Sequence, residues 1–304
     1  MHLIFQQYEE RLQRRQAKPS TLTNMRRTAA LFEESGLDPL TAEDWQIEEW
    51  LAGLRASRGQ ASVPHQEGAC SKAKPLGAAE HSTGLAPRTI RLHFENLNAV
   101  YGYAVYRRQL ERSPMEAVRL PREPDKEPRI LTNDELRYLL GNCMTAPQWL
   151  MLHLLIYTGM RRSEVRNLQW PDVKPDTITV RQGKGDKLRH IPIHPALAEA
   201  LAEHKPNGGH VLPGRGGEPM SDSGLFSRLK KVSGDVHCRP HDFRRTVATS
   251  LAEQEVAPNV IDKIMGWSAR TVGSRYYIRT ADRRMQEAIL KLYADDPLTP
   301  AGGR

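Results

Sequence analysis

The sequence predicts a mainly α-helical chain with one small β-hairpin, arranged as a helical N-terminal domain followed by a mixed α/β domain. Three observations carry this. Apolar residues recur at helical spacing through most of the chain, with capping residues before the stretches and Gly or Pro after them. Two short segments alone alternate with a period of two, Thr177 to Val180 and Leu188 to Ile193, and they flank Gly183-Lys184-Gly185-Asp186, so they pair as a hairpin. The stretch SPMEAVRLPREPDKEP, residues 113–128, has the Pro content and charge of an exposed linker, and a chain of 304 residues has room for a core on each side of it.

In the first domain, residues 1–112, a helix is expected over 2–16. Ser20 is the expected N-cap of a second, over 21–35, which Gly36 ends, and Thr41 caps a third, TAEDWQIEEWLAGLR. Residues 56–86 are rich in Gly, Ser, Ala and Pro without periodicity and read as a long mobile loop. Pro87, at a plausible first helical position, opens the helix PRTIRLHFENLNAVYGYAVYRRQLE.

The second domain, residues 129–293, opens on Thr132-Asn133-Asp134-Glu135, a capping-box pattern before the helix ELRYLLGNC. A buried helix at 147–158 stops at Gly159, and a short one follows at 162–169. After the hairpin come helices at 195–204, 222–232, 241–255, 258–265, 268–278 and 281–293, then a disordered tail at 294–304. Met285, Ile289, Leu290 and Leu292 make an apolar stripe on the last helix, expected to meet another copy of the chain. The longest apolar run, Trp149 to Thr158, is about half of the ~20 residues a membrane helix needs, so no membrane partner is expected.

The formal charge of +8 favours an acidic partner, and its distribution locates that partner. Residues 1–128 hold 18 Lys/Arg against 17 Asp/Glu, and residues 129–304 hold 26 against 19, so the surplus lies in the second domain. Cys70, Cys143 and Cys238 are odd in number and lack paired metal spacing, as in a reduced cytoplasmic protein; neither a disulfide framework nor a metal site is expected. The first residues are Arg-rich but include Glu9 and Glu10 and lack an apolar core, which argues against a targeting peptide and for a cytoplasmic location. No G-x-S-x-G, Rossmann fingerprint or P-loop is present.

Four patches carry chemistry: TGMRRSEVRNLQW at 158–170, RQGKGDKLRHIPI at 181–193, RPHDFRRTVATSL at 239–251 and MGWSARTVGSRYYIRT at 265–280. Each alone has a bland reading, such as helix-capping cations, a hairpin-tip lysine or core aromatics. Together they supply every group that metal-free phosphoryl transfer requires. Arg161 and Arg244 can clamp phosphate oxygens with rigid forks of donors. His241 and Lys184 suit the proton transfers. His241 and Arg244 stand three apart on one expected helix, as do Arg161 and Glu164, so Glu164 is placed to orient Arg161.

In order and wording these patches resemble the tyrosine recombinase (phage integrase) family, over roughly residues 1–293, specifically in the second domain and only in pattern in the first. Thr158-Gly159-Met160-Arg161-Arg162-Ser163-Glu164 resembles the box holding the family's first catalytic arginine, and Gly183-Lys184-Gly185 the site of its catalytic lysine. His241-Asp242-Phe243-Arg244 resembles its His-x-x-Arg element, and Met265-Gly266-Trp267, with Tyr276 nine residues on, its closing box. Most members carry His where this chain has Trp267. An indole can donate to a phosphate oxygen but cannot accept a proton, so Trp267 is assigned phosphate contact and packing.

The resemblance implies a helical core-binding domain at 1–112 and a catalytic domain at 129–293, clamped around duplex DNA. Tyr276 would be the nucleophile, with Tyr277 as the alternative. It implies a site-specific recombinase that acts through a 3′-phosphotyrosyl link and a Holliday junction, as a tetramer on two synapsed crossover sites, with an accessory DNA-bending or directionality factor as a candidate partner and neither metal nor ATP. Arg88, Arg91, Arg107 and Arg108, on the helix from Pro87, are nominated to face a DNA groove. Two rivals remain at this stage. A type IB topoisomerase uses the same residues but religates the same strand, and an inert DNA reader would bind without cutting.

Overall fold

The computed structural model describes residues 1–56, 84–120, 127–181, 188–204, 209–267 and 281–298. The hairpin tip with Lys184, the expected helix 268–278 with Tyr276 and Tyr277, Cys70 and most of the 56–86 loop lie outside the described residues. The chain divides into two compact units, Met1–Asp125 and Lys126–Arg304. Among the described residues, no helix is long and apolar enough to cross a membrane.

The first unit packs α1 (Leu3–Arg14), α2 (Pro19–Glu34), α3 (Asp44–Ala56) and α4 (Pro87–Tyr106) around Phe5, Met25, Phe32, Ile47, Leu97 and Tyr101. Phe32 stands edge-on to both Phe5 and Trp50, at 6.0 and 5.1 Å between ring centres. Two starts differ from expectation. Pro19 takes the first position of α2 with Lys18 as N-cap, which leaves Ser20 inside the helix: a fixed proline φ outweighs a side-chain cap. Thr41 does not cap α3, because its amide is bound in a turn by the Asp38 carbonyl, and the helix begins at Asp44.

The helix from Pro87 ends sooner than expected. Arg107 is its C-cap and Arg108 adopts φ +57°, so neither continues the helical face. Arg88 and Arg91 are exposed on the first turn, and the 16 residues from Arg91 to Arg107 set the two ends about 24 Å apart. The four nominated arginines therefore form two separate pairs. The segment expected as linker is also partly core: Pro114–Glu116 forms a 3₁₀ turn, and Met115 and Val118 are buried in the first unit.

The second unit is built on α6 (Ala146–Thr158), buried at every residue from Leu150 to Thr158. Around it lie α5 (Asn133–Gly141), α7 (Arg162–Asn167), α8 (Pro195–Ala202), α9 (Asp222–Ser233) and α10 (Pro240–Glu253). The Thr132–Glu135 capping box opens α5 as expected. The hairpin pairs β1 (Thr177–Val180) with β2 (Arg189–Pro192) antiparallel, Ile178 opposite Ile191 and Val180 opposite Arg189. Against it pack α11 (Pro258–Met265) and α12 (Ala281–Leu290).

Two further expectations are corrected here. Met285, Ile289 and Leu292 are buried in their own unit while Leu290 is about half exposed, so the α12 stripe serves the local core instead of a second copy. The tail begins packed: Leu298 is buried, and Asp296 bonds both Asn133 and Arg137. Residues 299–304 lie outside the described residues.

Candidate active site

The end of α6 begins the site. Gly159 adopts φ +57°, a left-handed turn that favours glycine, and it packs against the Met265 side chain where α6 meets α11. The chain then extends to Arg161, the N-cap of α7. Glu164 closes that cap from three residues on: Oε2 accepts the Arg161 backbone N–H at 2.7 Å and Oε1 accepts Arg161 Nη1 at 2.8 Å. The arrangement is half of a capping box, since the guanidinium has no acceptor for the N3 amide and donates to Glu164 instead.

A second arginine reaches the same carboxylate. Arg189, on the buried face of β2, donates Nη1 and Nη2 to Glu164 Oε1 and Oε2 at 2.8 and 2.7 Å. The Glu164 side chain has no exposure. Burial would raise its pKa, but the bonds and charge of Arg189, and then those of Arg161, pull it down to about 2. Glu164 is therefore ionised at any pH the protein meets.

The C-terminus of α11 gathers the guanidiniums. A helix leaves its last carbonyls without partners and carries partial negative charge there. Arg189 Nε donates to Ile264 O at 3.1 Å, Arg244 to Met265 O, and Arg161 Nη2 to Gly266 O at 3.0 Å. Arg244 also donates Nη1 to Gly159 O at 2.7 Å. Three consecutive carbonyls thus hold three arginines from β2, α10 and α7. Gly266 permits this with φ +63°; a Cβ would stand 2.9 Å from Arg189 Cδ. Gly266→Ala is expected to cost more than about 2 kcal/mol, because left-handed strain and displacement of Arg189 add. Urea unfolding measures it, and a loss below about 1 kcal/mol would show that the site tolerates the methyl group.

Arg244 is 2% exposed, and burial followed by the charge of Arg161 lowers its pKa to about 10. Its guanidinium carbon lies 5.7 Å from the centre of the Trp267 ring. Trp267 follows the left-handed Gly266, its amide bound by Asp262 O at 2.8 Å, and about half of it remains exposed. His241 is exposed on the first turn of α10, after Pro240. Partial burial, then the charges of Arg245, Arg244 and Arg161, hold its pKa below the ordinary imidazole value, which favours the neutral ring.

Of the residues singled out in the sequence, Arg161, Glu164, Arg244 and Trp267 come together, with His241 close enough to feel the charges of Arg161 and Arg244. Lys184, Tyr276 and Tyr277 lie outside the described residues. Arg88, Arg91, Arg107 and Arg108 belong to the first unit. Arg189 is the residue that sequence reasoning missed. Its signal was an arginine at an inward position of an alternating strand, in register with Ile191.

Residues 129–284 match the profile described as the phage integrase family. Tyrosine recombinase XerC of Xanthomonas axonopodis pv. citri is 29% identical over 239 residues, covering 72% of this chain and 78% of that protein. A tyrosine recombinase of Thermosipho africanus is 30% identical over 225 residues, covering 69% of this chain and 78% of the relative. Among solved structures, a lambda integrase tetramer bound to a Holliday junction aligns at TM-score 0.67 and 17% identity, covering 88% of this chain and 77% of that chain. The Tn1549 transposon integrase in complex with circular intermediate DNA aligns at TM-score 0.65 and 20% identity, covering 92% and 97%. At those identities the two structures speak for the fold.

Proposed function

The chain belongs to the phage integrase family and is a tyrosine-type site-specific recombinase, and from that premise we propose that it exchanges DNA strands through a covalent 3′-phosphotyrosyl intermediate and a Holliday junction. The observation that carries the reading is the meeting of Arg161 and Arg244, from α7 and α10, on the adjacent carbonyls of Gly266 and Met265 beside the half-exposed Trp267. Two guanidiniums and an indole N–H on one small surface suit a single phosphodiester.

Tyr276 Oη attacks the phosphorus, the bond to the 5′ oxygen breaks, and the phosphate becomes linked to the tyrosine. The neutral ring of His241 takes the phenol proton, and Lys184 protonates the departing 5′ oxygen. A 5′-hydroxyl from the partner duplex then attacks the link and releases Tyr276. One phosphoester replaces another at each step, so the scheme needs neither ATP nor a metal. Arg161, Arg244 and Trp267 hold the charge in both transition states, and Glu164 orients Arg161.

The partners under this reading are duplex DNA bearing crossover sites and three further copies of the chain, in the cytoplasm, with a DNA-bending factor as a candidate accessory. The lambda integrase tetramer on a Holliday junction supports the assembly by likeness of fold. Of the nominated DNA readers, the pair Arg88 and Arg91 or the pair Arg107 and Arg108 can serve one groove.

Incubating the chain with supercoiled plasmid and with a pool of nicked random duplexes tests the reading. Site-dependent exchange and recoverable protein–DNA adducts are expected. Relaxation of any plasmid would favour a topoisomerase, and binding without adduct an inert reader. For Lys184→Ala, cleavage should fall at least about 100-fold on ordinary DNA and recover on a 5′-bridging phosphorothiolate, since a thiolate leaves without a proton. Failure of that rescue would move the acid elsewhere, Lys187 being next.

A further inference from the structure

We propose that Arg189 is a positioning residue for the phosphate clamp: by sharing the charge of Glu164 and holding the end of α11, it leaves Arg161 free to turn onto a phosphate. The proposal rests on the reading of Arg161 and Arg244 as that clamp.

Burial separates Arg189 from Arg161, and its partners separate it from Arg244, which donates to backbone carbonyls alone. Arg189 is 9% exposed and lies on the inward face of β2, whereas the Arg161 side chain is 26% exposed. Arg189 touches three elements at once, its own strand, Glu164 of α7 and Ile264 O of α11. Its guanidinium donates through both Nη groups to the two oxygens of Glu164, which neither Arg161 nor Arg244 does. It acts through what it holds.

What it holds is shared. Glu164 Oε1 accepts from both Arg161 Nη1 and Arg189 Nη1 at 2.8 Å, and Oε2 accepts from both the Arg161 backbone N–H and Arg189 Nη2 at 2.7 Å. Two guanidiniums therefore share one carboxylate, and with Arg244 on the neighbouring carbonyl the cluster carries two positive charges in excess beside Trp267. Without Arg189 the excess falls to one, and the whole charge of the fully buried Glu164 carboxylate draws on Arg161. The arginine nearest the solvent would then be tied to Glu164 when a phosphate should be its partner. The Ile264 carbonyl would also lose its donor, loosening the turn that carries Gly266 and Trp267.

This account predicts a reversal that a merely structural arginine would not produce. Removing the Glu164 charge in a chain already lacking Arg189 returns the excess to two and releases Arg161. A second substitution in a buried cluster that only maintains packing would deepen the defect.

The test uses the full chain and the nicked duplex recovered with the wild type, reading single-turnover adduct formation, duplex affinity and the thermal midpoint. Arg189→Gln is expected to slow adduct formation about 100-fold while affinity changes less than about threefold. Glu164→Gln combined with Arg189→Gln should react at least about tenfold faster than Arg189→Gln alone. Arg189→Lys, which keeps charge without the fork, should fall between wild type and Arg189→Gln. Should Arg189→Gln fail to fold, Arg189→Lys and the double variant carry the test: the double variant must then fold and react faster than Arg189→Lys. A double variant no faster than the single one, or Arg189→Gln within threefold of wild type, overturns the proposal. Absence of adduct from the wild type would instead overturn the clamp on which it rests, and the proposal with it.

Discussion

Arg244→Ala is expected to lower the rate of covalent adduct formation by about a thousandfold or more and to destabilise the second unit, whereas Arg161→Ala loses the chemistry with a much smaller loss of stability. The difference follows from burial. Arg244 is 2% exposed and donates to the carbonyls of Gly159 and Met265, the ends of α6 and α11. Truncation strands both acceptors in the interior, at about 1–3 kcal/mol each. Arg161 donates to the Gly266 carbonyl, at a partly exposed position where water can replace it, and to Glu164 Oε1, which keeps Arg189 as a donor.

Duplex affinity provides the control in both variants. A clamp acts on charge that develops at one phosphate, while affinity is spread over many contacts, so a folded Arg161→Ala chain should bind nicked duplex nearly as well as wild type. Filter binding beside adduct formation on the same duplex measures the two quantities. A large and equal loss of both would count against the assignment of Arg161 to the clamp. Arg244→Lys adds a second control, because a lysine can reach one carbonyl but cannot span two.

The parts of this fold that could be read from the sequence are those where one local interaction decides the conformation. Thr132 and Glu135 close the α5 box within four residues, Gly159 permits the turn that ends α6, and alternation marks β1 fully and β2 as far as Ile191. Where two local signals competed, reading failed. Pro19 overrode Ser20 at the start of α2, and the turn at Asp38 held Thr41 away from α3. Composition misled in the segment after Ser113, since prolines and charges there flank Met115 and Val118, which the first core needs.

The site divides along the same line. Arg161 and Glu164, or His241 and Arg244, can be paired by helical spacing because each pair shares one element. Arg189 could not, because its meaning lies in a carboxylate from α7 and a carbonyl from α11, neither near it in sequence. The apolar stripe of α12 shows the converse. Its periodicity correctly marks a buried face, but periodicity does not say whose core receives it, and here β2 and α11 do.

Tyr276→Phe is expected to abolish the covalent adduct and Tyr277→Phe to retain it. On the helix that the sequence leads one to expect there, neighbours would point about 100° apart, so only one of the two hydroxyls would meet a phosphate held by Arg161, Arg244 and Trp267. The chain offers a fixed origin for counting. Gly266 turns left-handed, the Trp267 amide is bound to Asp262 O, and the Gly266 carbonyl is held by Arg161, so the path toward the nucleophile leaves from a set position and direction. Tyr276 lies nine residues beyond Trp267, the spacing of the family's closing box, whereas Tyr277-Ile278-Arg279 imitates only the letters that follow the nucleophile in some members. Spacing governs reach, and the following letters carry no chemistry. A nicked duplex that sheds its 5′-hydroxyl fragment traps the adduct, and mass spectrometry of the digested protein locates the DNA-bearing peptide. DNA on Tyr277, together with a Tyr276→Phe chain that still forms the adduct, would reverse the assignment.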